Sequence, residues 1–136
     1  ASSLAGAPGA LPPRRDELDG ERYRLVADRR FDAAAAPWWT EGPTKVLAAT
    51  GVAPGDVAAF VANQASRERI RATAAAAGIA DAAVVDVVAE TANAGCASQL
   101  VALDTARRDG RAAAGRPVLL SAVGGGLDAA ALLIRP

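Results

Sequence analysis

Histidine is absent from this 136-residue chain. That removes the commonest general base at neutral pH and the commonest metal ligand. Cysteine occurs once, as Cys96, which excludes an intramolecular disulfide and leaves no zinc cluster to build. Methionine is missing as well, so Ala1 either follows a removed initiator or belongs to a longer polypeptide. Lys45 is the sole lysine, and 15 basic residues, otherwise all Arg, balance 15 acidic ones. Without net charge there is no electrostatic footprint for nucleic acid or a membrane surface. No apolar run reaches the ~18–20 residues of a membrane span. The N-terminus lacks the basic-then-apolar order of a secretory signal. These absences suggest a cytoplasmic protein with no metal site.

What is present is enough for a core. The chain is 51% hydrophobic and 22% charged, the composition of an ordered domain, and its length suits one such domain. Residues 1–21, with Pro8-Gly9 and Pro12-Pro13, carry no period and read as an extended arm or loop. Residues 22–136 hold the patterned remainder. A short strand is expected over 22–30. Pro37 and Pro43 argue against a helix over 31–43, so the first helix is expected from about Pro43 to Thr50, stopped by Gly51. An apolar strand over 57–62 precedes a helix over 64–77 that ends at Gly78. Residues 83–88 read as another strand, 94–108 as a helix ended by Gly110, and 117–123 and 129–134 as the last two strands.

The order is β-α-β-α-β-α-β-β, an α/β fold with a mixed sheet covered by helices on both faces. The helix over 94–108 is apolar around much of its circumference, and such a helix must be buried on most sides. Three helices in a chain this short cannot supply that cover, which implies a partner chain or a missing half.

Three stretches lie where an apolar strand gives way: Asn63-Gln64-Ala65-Ser66, Thr91 to Ser98 with Asn93, and Gly124-Gly125-Gly126. Strand ends of open α/β sheets are where ligands are bound. Each stretch has an ordinary structural explanation too. Asn is a favoured helix N-cap, which would account for Asn63 and Asn93. The glycines would make a strand-to-strand turn. Trp38 and Trp39 are either core anchors or the lining of a substrate channel or subunit contact. Arg67, Glu68, Arg69 and Arg71 make a solvated helix face or a dock for an acidic carrier or phosphate. Cys96 is expected as a small packed residue on a buried helix.

Together, the three stretches resemble the C-terminal half of the type III ketoacyl-acyl-carrier-protein synthases, condensing enzymes of the thiolase superfamily. The family's His-Gln-Ala-Asn corresponds to Asn63-Gln64-Ala65-Ser66. Its Gly-Asn-Thr-Ser-Ala-Ala-Ser corresponds to Ala92-Asn93-Ala94-Gly95-Cys96-Ala97-Ser98. Its Leu-Leu-x-Ala-Phe-Gly-Gly-Gly corresponds to the run from Leu119 to Gly126, and Arg108-Asp109-Gly110-Arg111 resembles the family's Asp-Gly-Arg turn. The resemblance covers roughly residues 20–136.

The resemblance implies one half of the thiolase fold and an acyltransferase acting on thioesters of coenzyme A or acyl carrier protein, with the phosphopantetheine thioester as substrate and no further cofactor. Asn93 takes the place of the catalytic Asn, and Gly124 begins the oxyanion turn, continued by Gly125. Asn63 stands where the family has its His, and Ser66 and Val123 also depart from the family pattern. An Asn amide donates a hydrogen bond to a carbonyl but carries no proton at neutral pH. Carbonyl polarisation is therefore expected to persist, while His-dependent deprotonation or condensation is put in question. Ser66, Trp38 and Trp39 are candidate substrate-binding residues. Cys96 aligns with an Ala, so the nucleophilic Cys must come from a chain carrying the N-terminal half, with composite protomers pairing as dimers. Two alternatives stand beside this: a non-catalytic structural subunit of a heteromeric condensing enzyme, and an unrelated small α/β binding module.

Overall fold

A computed structural model describes residues 2–5, 24–27, 30–124 and 128–136. Within the segment expected as an arm, β1 (Ser2–Ala5) pairs antiparallel with β2 (Arg24–Ala27), and the two make a sheet of their own. The rest of the arm lies outside the described residues. Of the strand expected over 22–30, Arg24–Ala27 form β2 and Arg30 already opens a helix, while 22, 23, 28 and 29 lie outside the described residues.

That helix, α1 (Arg30–Thr50), overturns the expectation of a short one, since Pro37 and Pro43 both lie inside it. Each proline removes one rung of the helical ladder. Packing outweighs the loss. α1 lies along β4 (Val118–Gly124) and β5 (Asp128–Ile134), where it buries Ala35, Trp39, Pro43 and Leu47. Gly42 permits the closest crossing, since a Cβ there would stand 3.3 Å from that of Ala131.

The second sheet has the order β3-β4-β5. β3 (Ala59–Ala62) runs parallel to β4, with Phe60 opposite Leu119, and β5 returns antiparallel, with Leu119 opposite Leu133. Between β3 and β4 the chain passes through α2 (Arg67–Ala76), α3 (Val88–Thr91) and α4 (Cys96–Arg108). The strand expected over 83–88 is reduced to a single bridge between Val84 and Phe60, continued by the Val85 N–H donating to the Phe60 carbonyl at 3.0 Å. Side chains hold the rest of that segment. Arg111 Nη1 donates to the Val84 carbonyl at 2.8 Å, and Gln64 takes over farther along.

Alternation along the strands sends side chains to two different cores. On one face Phe60, Leu119 and Leu133 meet Leu47 of α1 and Ile70 and Ala74 of α2. Burying Phe60 completely contributes roughly 1.5–3 kcal/mol. On the other face Ala59, Val61 and Val118 meet Ala102 and Ala106 of α4. The small residues bring α4 close to β3, yet its other side is bare, with Leu100 69% and Val101 40% exposed. Leu132 of β5 is exposed as well, and its register opposite Leu120 puts it on the α4 face of the sheet.

Candidate functional site

β3 ends opposite Ser121 while β4 runs on to Gly124, and Asn63 spans the step between them. The Asn63 N–H donates to the Ser121 carbonyl at 3.1 Å, and its Oδ1 accepts the Val123 N–H at 2.8 Å. This places Asn63 beside Gly124, the residue after Val123. Asn63 is not the cap of α2. Ser66 is: its Oγ accepts the Arg69 N–H at 3.1 Å. Four residues of turn separate the strand from the helix, so the cap falls on the last of them.

Asn93 is not a helix cap either. It lies in the turn between α3 and α4, exposed, and its Oδ1 accepts the Gly95 N–H at 3.0 Å. Gly95 itself is the N-cap of α4, at φ 59°, ψ −135°. Just before Asn93, Ala92 adopts φ 51°, ψ −163°, a region that costs a residue with a Cβ about 1–3 kcal/mol.

The two asparagines share one electronic arrangement. Each commits its oxygen to a backbone N–H, which orients the amide and leaves Nδ2, the donor end, without a partner among the described residues. Among the described residues, a Cβ at Gly124 would meet nothing nearer than the Asp128 carbonyl at 3.9 Å. Gly125 lies outside the described residues. α4 reaches the same strand end through Gln99, whose Nε2 donates to the Ser121 carbonyl at 2.6 Å.

The tryptophans divide. Trp39 is 6% exposed and packs with Ala35 and Val123, directly beneath the strand end that Asn63 holds. The Arg69 guanidinium lies 5.7 Å from the centre of its ring, a cation–π contact. Its indole N–H is buried and has no hydrogen-bond acceptor among the described residues. Trp38 is 45% exposed and faces β5, lining a shallow groove of ≈ 160 Å³ with Lys45 and Ala129 to Ala131. A larger apolar groove of ≈ 340 Å³ lies between Leu47 of α1 and Pro54, and contains none of Asn63, Asn93 and Gly124.

The cationic stretch on α2 is largely consumed within the chain. Arg67 Nε meets Asp86 at 2.5 Å, Arg71 meets Asp81 at 3.3 Å, and Arg69 sits over Trp39. Cys96 is exposed on the first turn of α4, which corrects the expectation of a packed thiol. Its helix buries only the stripe of Ser98, Ala102 and Ala106. Past the far end of α4, the Asp109 carboxyl is held below its ordinary value, chiefly by the hydrogen bond from the Arg111 side chain and against the effect of desolvation. Among the described residues, no group of acidic, His or Cys side chains could hold a metal ion, and no helix is long and apolar enough to cross a membrane.

Sequence reasoning missed Gln64, which is wholly buried and fully hydrogen-bonded. An uninterrupted apolar strand followed by a long carboxamide was the available signal.

Residues 47–136 match the family described as 3-oxoacyl-[acyl-carrier-protein (ACP)] synthase III C terminal. The β-ketoacyl-[acyl-carrier-protein] synthase III of Bartonella bacilliformis is 43% identical over 89 residues, covering 65% of this chain and 28% of that protein. The enzyme of the same name from Acidiphilium cryptum is 42% identical over 91 residues, covering 67% of this chain and 28% of that protein. Among solved structures, the synthase III of Thermus thermophilus superposes with a TM-score of 0.79 at 28% identity, over 98% of this chain and 41% of that one. That of Aquifex aeolicus gives 0.74 at 28% identity, over 88% and 38%. The chain thus spans little more than a quarter of the curated relatives' length.

Proposed function

The chain belongs to the 3-oxoacyl-[acyl-carrier-protein (ACP)] synthase III C-terminal family, and from that premise we propose that it forms one wall of an acyl-thioester site. Asn63 and Asn93 donate from Nδ2 to a thioester carbonyl, and the turn opened by Gly124 receives the negative charge that develops as the carbonyl is attacked. The observation that carries the reading is the shared arrangement of the two amides, each with its oxygen tied to backbone and its donor end without a partner among the described residues. Donors aimed in advance at developing negative charge need no reorganisation as the reaction proceeds.

The substrate is a thioester of coenzyme A or of a phosphopantetheine-bearing carrier protein. No residue of this chain supplies the nucleophile: Cys96 has no His to activate it. A cysteine on the N-terminal half attacks the acyl carbonyl, a C–S bond forms to the enzyme, and the thiol of the carrier leaves. The bare side of α4, with Leu100 and Val101, is where that half docks, and the composite protomers pair as dimers. Because Asn63 cannot take up a proton at neutral pH, this wall polarises carbonyls and leaves proton transfer to the other half or to the acceptor.

The test is co-expression with the complementing half, followed by acyl loading and turnover. Asn93→Ala is expected to cut turnover about 100-fold, the usual effect of losing one such donor. A complex that assembles and turns over normally with Asn93→Ala would sink the catalytic assignment. It would leave the structural-subunit reading, which is favoured by the backbone bond that Asn63 makes to Val123.

A further inference from the structure

We propose that Gln64 is a positioning residue, clamping the tip of β3 to residues 85–87 and so holding Asn63 and the approach to Asn93 in one register. Gln64 is entirely buried, a costly place for a carboxamide unless its polar atoms are met. They are. Nε2 donates to the Ala62 carbonyl at 2.9 Å and to the Val85 carbonyl at 3.1 Å, and Oε1 accepts the Val87 N–H at 2.9 Å.

Its neighbour does the complementary job on the other side, since Asn63 bonds Ser121 and Val123 of β4. Consecutive residues of an extended chain point in opposite directions. The backbone ladder to β4 makes its last bond at the Asn63 N–H, and beyond it two adjacent side-chain amides carry the sheet one step farther, Asn63 to Val123 on one flank and Gln64 to residues 85–87 on the other.

The flank held by Gln64 leads directly to the second asparagine. Val87 is the N-cap of α3, the strained Ala92 is its C-cap, and Asn93 follows directly. A displacement at Val87 is therefore passed along four residues of short helix to Asn93. Side chains of similar shape do not fill this role. Glutamate does not donate when ionised, Leu and Met have no donor, and Asn is one methylene short. The clamp does not depend on what the two asparagines bind; its service to a thioester rests on the proposed acyl-thioester site.

Native-state amide exchange on the full chain tests the clamp without any substrate. In the unmodified chain the Val87 and Val123 amides are expected to exchange through one local opening with matching protection, although their acceptors belong to different residues. Val123 opening independently of Val87 overturns the proposal. In Gln64→Glu a carboxylate faces two carbonyl oxygens. Protection of Val87 and Val123 should then fall at least about tenfold, while Phe60 and Leu119 keep theirs. An equal fall at all four amides means that Gln64 serves global stability alone, and also overturns it. The first measurement needs no variant and stands if Gln64→Glu does not fold. Because exchange is read without turnover, a negative result with Asn93→Ala leaves the clamp intact, and a failed clamp leaves the thioester reading to its own test.

Discussion

The two asparagines make the same kind of hydrogen bond in opposite kinds of place. Asn63 is partly buried, and its acceptor oxygen reaches across the sheet to a residue sixty positions later. Asn93 is exposed and bonds a residue two positions on, in a turn whose preceding residue is strained. The first is set by tertiary structure and cannot move without parting β3 from β4. The second is set by three residues of local geometry, and nothing described in this chain covers it. One amide is thus held by the fold, while the other is held by its own turn alone.

Stability measurements can break this contrast. Asn63→Ala leaves the Val123 N–H unmet at a half-buried strand end, and should cost about 1–3 kcal/mol, read as a lower urea midpoint with an unchanged slope. An equal loss from Asn93→Ala would erase the contrast. Ala92→Gly should stabilise by about 1 kcal/mol, since relief of strain exceeds the entropic cost of glycine. It should also loosen Asn93 and raise the substrate KM of the assembled complex. Asn93→Ala should cost less than about 0.5 kcal/mol, because water can satisfy the exposed Gly95 N–H.

The smallest effect belongs to a control outside both regions. Asp109 has a lowered folded-state pKa because of Arg111. The stability it contributes is therefore present above the ordinary carboxylate range and is lost as pH falls through the folded value. Asp109→Asn should flatten the acid limb of the stability–pH curve below about pH 4, a change read from urea midpoints measured across that range.

The elements that local chemistry dictates were legible in the sequence. Gly51, Gly78 and Gly110 follow the ends of α1, α2 and α4 with φ of 67°, 74° and 78°, a conformation that glycine adopts freely. Neighbourhood decided the rest. Nothing local in 31–43 reveals that β4 and β5 lie alongside to compensate for two prolines. The Val-rich 83–88 run has strand propensity, yet pairs at one position only, because Gln64 substitutes a side chain for the ladder. At the site, the residue types were readable and their bonds were not. Asn suggested caps at both positions, whereas Ser66 and Gly95 took those roles. The bare α4 surface follows from an excess of apolar residues that composition already displayed, and Cys96 falls on that same uncovered helix.

The adjacent tryptophans give the chain a built-in optical gauge. They are its only indoles, and one rests in solvent beside β5 while the other is sealed under Val123 with a guanidinium over its ring. With Trp38→Phe, the remaining emission comes from the floor of the site alone. Its wavelength then reports whether the contact between β3 and β4 beside Val123 stays closed.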